Sequence, residues 1–196
     1  MLQIRIHGRG GQGVVTAAEL LSVAAFDQGH HAQAFPSFGS ERTGAPVVAF
    51  CRIDEREIRL REPVLEPDVL IVQDPTLLHQ VDVFQGLKPD GYVLINSKHS
   101  LDHLGLADIA QRFRRERLTT VPATDIAIKH LGRPLPNAVL LGGFAALSGL
   151  VSLDAVAHAI RDKFGGKVAA GNVAAATEAF EFVQRAMKEL AHAQAN

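Results

Sequence analysis

The residues of this chain best suited to chemistry are backbone groups rather than side chains. Gly8-Arg9-Gly10-Gly11-Gln12-Gly13 follows an apolar alternation at Leu2, Ile4 and Ile6 and leads directly into Val14-Val15-Thr16-Ala17-Ala18-Glu19-Leu20-Leu21. That order reads as strand, glycine turn, helix. Glycines at four of six positions leave N–H groups bare where the helix dipole also favours an anion, so a phosphate could approach them. The same glycines would serve a tight turn that only lets helix and sheet pack closely, and a lone G-x-G-x-x-G does not decide between the two.

Other candidate groups are weaker. A dinucleotide site expects a carboxylate at the end of the second strand, to hold ribose hydroxyls. That strand ends Ala34-Phe35-Pro36-Ser37, and the nearest acids, Asp27 and Glu41, fall in a helix and in a loop. No Gly-Lys-Ser/Thr follows the turn, which excludes a P-loop. His99 and His103 are spaced for one helical turn, but Ser100 and Gly105 make a loop there, and no second cluster would complete a metal site. No serine has a nucleophile-elbow setting. Glu41 and Arg42, among the small residues of Ser37 to Gly44, are the best polar candidates outside the glycine turn; a surface ion pair would explain them equally well.

The elements that must position these groups follow from periodicity. Val14, Ala17, Ala18, Leu21 and Ala25 predict a helix from Val14 to about Asp27, stopped at Gly29. His31 to Phe35 reads as a short strand and Ser37 to Gly44 as a loop. Pro46 to Ile53 and Glu57 to Arg61 read as a hairpin around Asp54-Glu55-Arg56. Val69 to Val72 is a short apolar run typical of a buried parallel strand. Asp74-Pro75 predicts a helix start, with Leu77, Leu78, Val81 and Phe84 as its buried face and Gly86 as its stop. Pro89-Asp90-Gly91 turns into a strand at Tyr92 to Ile95. Leu106 to Leu118 reads as helix and Thr119 to Val121 as strand. Thr124-Asp125 starts a helix closed by Gly132. Asn137 and Ser152 read as caps of the next two helices, the first apolar almost all round. Asn172 reads as the cap of the last, with residues 191–196 as a frayed tail after a single domain over 1–190.

Strands alternating with helices predict an α/β fold: a mostly parallel, Rossmann-like sheet with helices on both faces and one β-hairpin addition. Ligands of such sheets sit beyond the carboxyl ends of the strands. The glycine turn belongs on that edge, and so does the 36–44 loop if His31 to Phe35 runs parallel to the first strand.

Composition narrows the function. Hydrophobic residues at 47% and charged residues at 21% give a globular core, and a net charge of −1 offers neither nucleic acid nor an anionic membrane a partner. The start is a strand pattern rather than a leader, and no apolar run is long enough to span a bilayer. One cysteine, Cys51, excludes an internal disulfide and an iron–sulfur cluster held by this chain. It lies in an apolar run, so it reads as a small core residue in a reducing, cytoplasmic protein. The residues thus describe an α/β domain with an anion-binding turn and no catalytic set of its own, as fits a subunit as well as an enzyme.

Taken in order, several segments resemble a known family. They are Gly8 to Gly13, Ser37 to Val47, Glu66 to Pro75, Gly91 to Asn96, Pro122 to Ala127, Pro136-Asn137 and Gly165-Gly166-Lys167-Val168. The set is similar to the gamma subunit of pyruvate:ferredoxin oxidoreductase and related 2-oxoacid:acceptor oxidoreductases, over nearly the whole chain. The resemblance implies a complex that decarboxylates a 2-oxoacid oxidatively, couples the acyl group to coenzyme A and passes electrons through iron–sulfur clusters, to ferredoxin or to NAD through an extra subunit. Thiamine diphosphate and iron–sulfur clusters would lie in partner subunits of alpha, beta and delta type, with coenzyme A at this chain's interface. On this reading the cofactor-binding turn is Gly8, Arg9, Gly10, Gly11, Gln12, Gly13 and Val14: the N–H groups of residues 10–14 would hold phosphate oxygens, Arg9 would add charge and Gln12 would hydrogen-bond the pantetheine arm or the partner subunit, with Ser37, Glu41 and Arg42 bordering the same crevice. Pyruvate, a branched-chain or aromatic 2-oxoacid such as phenylglyoxylate, and 2-oxoglutarate all remain open. So do the small subunit of indolepyruvate:ferredoxin oxidoreductase, a free-standing NAD-binding dehydrogenase and a purely structural scaffold.

Overall fold

A computed structural model describes residues 1–37 and 43–195. Its elements run β1 (Leu2–Arg9), α1 (Val14–Asp27), β2 (His31–Pro36), β3 (Pro46–Asp54), β4 (Val69–Val72), β5 (Tyr92–Asn96), α2 (Ala107–Ala110), β6 (Leu118–Val121), α3 (Ala123–Leu131), α4 (Asn137–Ser148), α5 (Leu153–Lys163) and α6 (Gly166–Ala195). The six strands form one sheet in the order β2-β3-β1-β4-β5-β6. β1, β4, β5 and β6 are parallel neighbours, whereas β3 lies antiparallel between β1 and β2. The antiparallel addition is therefore β2–β3, not a hairpin at 46–61. Both edges of β3 are already paired, Leu2 opposite Ile53 and Ala32 opposite Ile53, so Glu57 to Arg61 has no strand to join and stays irregular. β2 nevertheless runs in the same sense as β1, since both oppose β3. Thr43 forms an isolated bridge with Gly10 of the glycine turn.

Strand alternation divides the core in two. Ile4, Ile6, Cys51, Val69, Ile71, Leu94 and Val121 face α1, α3, α4, α5 and α6, which cover one side of the sheet. α4 is buried along nearly its whole length, as its unbroken apolar sequence requires. Leu70, Val72, Val93, Ile95 and Leu118 face a smaller core with Leu77, Val83, Leu87, Leu101 and Leu106. Among the described residues, that side is covered by one-turn helices alone: α2 and 3₁₀ turns at Pro75–His79 and Arg115–Arg117.

The expected helices at 75–86 and 106–118 are thus mostly absent. Asp74 does cap the first, accepting from the Thr76 N–H, but the chain then leaves helical geometry. The reason lies in the strands beneath. β1 and β3 present Arg5 and Arg52 to this side, and their guanidinium groups serve the carbonyls of the covering segments. Arg5 Nη2 donates to the Val83 and Gln85 carbonyls at 2.9 and 2.6 Å; Arg52 Nη2 donates to the Glu62 carbonyl at 2.6 Å. Irregular backbone satisfied in this way needs no helix. In 106–118, Phe113 stacks on Phe84 and the chain turns after Ala110 to bring Leu118 beside Val93.

Two capping expectations also shift. Asn137 lies inside the first turn of α4 behind Pro136. α6 starts at Gly166, so Asn172 is interior and its Nδ2 donates to the Val168 carbonyl; the helix continues to Ala195. Ser152 caps α5 as predicted, accepting from the Ala155 N–H. Among the described residues no helix is long and apolar enough to cross a membrane.

Candidate functional site

The carboxyl edge of the sheet changes direction between β1 and β4, the place where open α/β sheets take ligands. β1 ends there in the glycine turn. Gly11 and Gly13 have φ of +92° and +70°, a region that only glycine enters freely. Gly13 also has Asn137 where a Cβ would stand, and Gly8 has Val14 Cγ2 within 2.5 Å of that position. Packing therefore requires two of the glycines. The turn is pinned through Gly10, whose N–H donates to the Ala45 carbonyl at 2.9 Å and whose carbonyl accepts from Gly44 at 3.1 Å. The Gln12 N–H closes onto the Arg9 carbonyl. Gly11, Gly13 and Val14 have no acceptor for their N–H among the described residues, as expected at a helix N-terminus.

Two side chains of the turn are committed within the protein. Gln12 Oε1 accepts from the Arg9 N–H and its Nε2 donates to Asp74 Oδ2, both at 2.8 Å. Arg9 projects from the face of β1 opposite α1. Its Nη1 donates to the Gly44 carbonyl at 3.0 Å, and its Nη2 donates to Thr76 Oγ1 and Gln80 Oε1 at 2.8 Å. Its Nε lies 3.2 Å from Asp74. Partial burial raises the Asp74 carboxyl, but hydrogen bonds from Thr76 and Gln12 and the Arg9 charge outweigh it and hold the group below the usual carboxylate range. Arg9 is thus a tie between the turn, residue 44 and the 75–80 segment. A phosphate beside the turn would draw its charge from elsewhere.

That charge is present. A cleft of about 450 Å³ opens beside Gly11, Gly13 and Thr16, and Arg133 and Lys167 line it together with Phe164 and Leu135. Both cations are exposed and have no ion pair among the described residues. His130 at the rim is engaged with Glu178 at 2.6 Å. On the other side of the turn lies a groove of about 630 Å³, lined by Gly10, Gly11, Gln12, Gln73, Asn96, Thr124 and the 133–136 segment. Asn96 braces its floor, donating to the Gln73 carbonyl and to Thr124 Oγ1 and accepting from the Thr124 N–H.

Of the residues singled out by sequence, Gly10, Gly11, Gln12 and Gly13 border these hollows. Gly8 and Val14 form the packed base beneath. Ser37 is exposed at the end of β2, lines neither hollow, and donates its N–H to the Val48 carbonyl. Glu41 and Arg42 lie outside the described residues. Sequence reasoning missed Arg133, Lys167, Gln73, Asn96 and Thr124 as a group. Lys167 had a signal in Gly165-Gly166-Lys167; the others come together only through the fold.

Other chemistries find less support in this geometry. The strand after α1 pairs with β3 rather than β1, so the adenosine crevice of a dinucleotide fold, between the first two parallel strands, is not formed. Cys51 is fully buried and its thiol is pushed up to about 12 by burial, which makes it inert. Among the described residues no three His, Cys, Asp or Glu side chains gather for a metal.

Comparison with known proteins agrees with this architecture. The family described as pyruvate ferredoxin/flavodoxin oxidoreductase matches residues 3–182. The chain is 48% identical over 186 residues to the "Pyruvate/ketoisovalerate oxidoreductases common subunit gamma" of Pyrococcus abyssi, covering 94% of this chain and 98% of that one. It is 49% identical over 183 residues to the "Pyruvate synthase subunit PorC" of Methanothermobacter marburgensis, covering 92% and 97%. The crystal structure of pyruvate oxidoreductase subunit PORC from Thermotoga maritima superposes with a TM-score of 0.76 at 35% identity, over 92% of this chain and 95% of that one. Sequence, fold and the glycine-turn edge therefore converge, and the chain belongs to the pyruvate ferredoxin/flavodoxin oxidoreductase family, as a gamma-type subunit.

Proposed function

We propose that this subunit supplies the face on which its complex holds coenzyme A while partner chains oxidise a 2-oxoacid. The observation that supports the reading is the pairing of the N–H donors of Gly11 and Gly13, which have no acceptor among the described residues, with the cations Arg133 and Lys167, which have no ion pair among them, around one cleft. Phosphate oxygens of the ADP moiety accept from the N–H groups at the start of α1, and the two cations balance their charge. Phe164 and Leu135 give the adenine an apolar wall. Thiamine diphosphate and iron–sulfur clusters belong to alpha-, beta- and delta-type partners. The full reaction makes acyl-CoA and CO2 from the 2-oxoacid and sends its electrons to ferredoxin. Pyruvate and ketoisovalerate, in the names of the relatives, are the substrates favoured over phenylglyoxylate, 2-oxoglutarate or indolepyruvate.

The test uses the assembled complex and the dependence of acyl-CoA formation on coenzyme A concentration. Losing a hydrogen bond to a charged group costs about 1.5–3 kcal/mol, so Lys167→Ala or Arg133→Ala should raise the KM for coenzyme A about tenfold or more. An unchanged KM in an intact complex would sink the phosphate reading and leave the turn a structural element.

A further inference from the structure

The second groove contains a group that neither the fold nor the phosphate cleft explains. Gln73 follows β4 directly, and its N–H continues the parallel ladder to the His7 carbonyl at 2.7 Å. The residue is 1% exposed, and neither its Oε1 nor its Nε2 has a hydrogen-bond partner among the described residues. A buried carboxamide with both ends unmet is costly, because each end has lost water and gained nothing. Packing alone would favour an apolar residue of the same size. The position is also tightly built: Gly8 leaves the room that Gln73 occupies, since a Cβ there would meet Gln73 Oε1 at 3.1 Å. Asn96 meanwhile fixes the backbone of Gln73 through its carbonyl.

We propose that Gln73 reads a secondary amide of the pantetheine arm of coenzyme A. A carboxamide with one donor and one acceptor free is the complement of an amide, which offers a carbonyl and an N–H side by side. Continuity decides in favour of the pantetheine arm. Gly11, Arg133 and Leu135 border both hollows, so a ligand whose phosphates lie at the glycine turn has its next segment beside Gln73. The inference rests on the coenzyme A reading for the identity of the ligand, but on different residues for its recognition. Both polar atoms are closed off from water, so the amide must displace covering side-chain atoms as it docks. The neighbouring Gln12 side chain, held by Arg9 and Asp74, is the part of the wall that would move.

The test compares thiol acceptors in the assembled complex carrying Gln73→Leu. Coenzyme A and pantetheine both have the amides; propanethiol has none. The expected result is a fall of about tenfold in kcat/KM for coenzyme A and for pantetheine, with propanethiol unaffected. An equal fall for all three, or no fall for any, would overturn the proposal; so would a loss of subunit assembly, which would make the carboxamide a contact for a partner chain's peptide group. Pantetheine has no phosphate, so this outcome does not depend on Arg133 and Lys167, and the two readings fail separately. A second measurement guards against misfolding. Leucine removes two unmet polar atoms at similar volume, so the Tm of the full chain should hold or rise. A clear drop would mean that the carboxamide is already satisfied in the free protein.

Discussion

At the scale of single residues, the clearest conflict lies on the side of the sheet away from the long helices. β1 places Arg5 and His7 in succession on that side, both 8% exposed. Arg5 Nη2 reaches two carbonyls, whereas His7 Nε2, like Arg5 Nε, has no partner among the described residues. Burial, and secondarily the Arg5 charge, pushes the His7 imidazole down to about 4. The folded protein therefore keeps His7 neutral while the unfolded chain takes up a proton near its ordinary value of about 6.5. Between those two values the unfolded state binds more protons, so stability is complete above about pH 6.5 and declines as pH falls toward 4. The difference at pH 5 amounts to roughly 2 kcal/mol. His7→Leu should remove it. Urea denaturation of both proteins at pH 7 and pH 5 would show a smaller loss for the variant, and equal losses would disprove the assignment.

At the scale of elements, the contact between α4 and α6 limits what the fold can accept. Gly142 stands where the two helices meet, and a Cβ there would drive into the Ala176 carbonyl; at Gly143 the nearest atoms are the side-chain tips of Leu94 and Val183 at 3.4 Å. Gly142→Ala should therefore cost about 3 kcal/mol through forced separation of the helices. Gly143→Ala should be nearly neutral, since alanine's better helix propensity, about 1 kcal/mol, offsets mild crowding. Chemical denaturation of the pair tests this directly, and similar midpoints would mean that the crossing is loose. The same helices indicate what a sequence can reveal. α1 could be read to its last residue, Asp27, because its apolar stripe, its glycine turn and Gly29 are local signals. α3 ends at Gly132 for the same reason. The segments at 57–61 and 75–86 could not be read that way. Their fate depends on Arg5, Arg52 and the occupied edges of β3, which are remote in sequence. Asn172 misled because it resembles a cap, while the helix already begins at Gly166, six residues earlier.

At the scale of the whole molecule, the site could be read only in part, since topology assembles most of it. The glycine turn was visible in the sequence; that Gln73, Asn96, Arg133 and Lys167 share its edge was not, because three crossovers and the start of α6 bring them there. This assembly has a consequence for the division of labour in the complex. The described part of the chain holds a cationic cleft and an amide-lined groove, and its buried thiol is inert. On the coenzyme A reading proposed above, this subunit acts on the thiol acceptor and leaves the choice of 2-oxoacid to its partners. In that case the coenzyme A KM of the complex should rise with ionic strength, because exposed cations are screened over about 10 Å at 0.1 M salt. Lys167→Ala and Arg133→Ala should flatten that dependence. The ratio of kcat/KM between pyruvate and ketoisovalerate should stay fixed in both variants. Steady-state kinetics on the assembled enzyme at low and high salt, with each 2-oxoacid in turn, would measure all three quantities. A change in the 2-oxoacid ratio would place this subunit's edge against the oxoacid itself, and a salt dependence that survives both substitutions would move the phosphate contact to another chain.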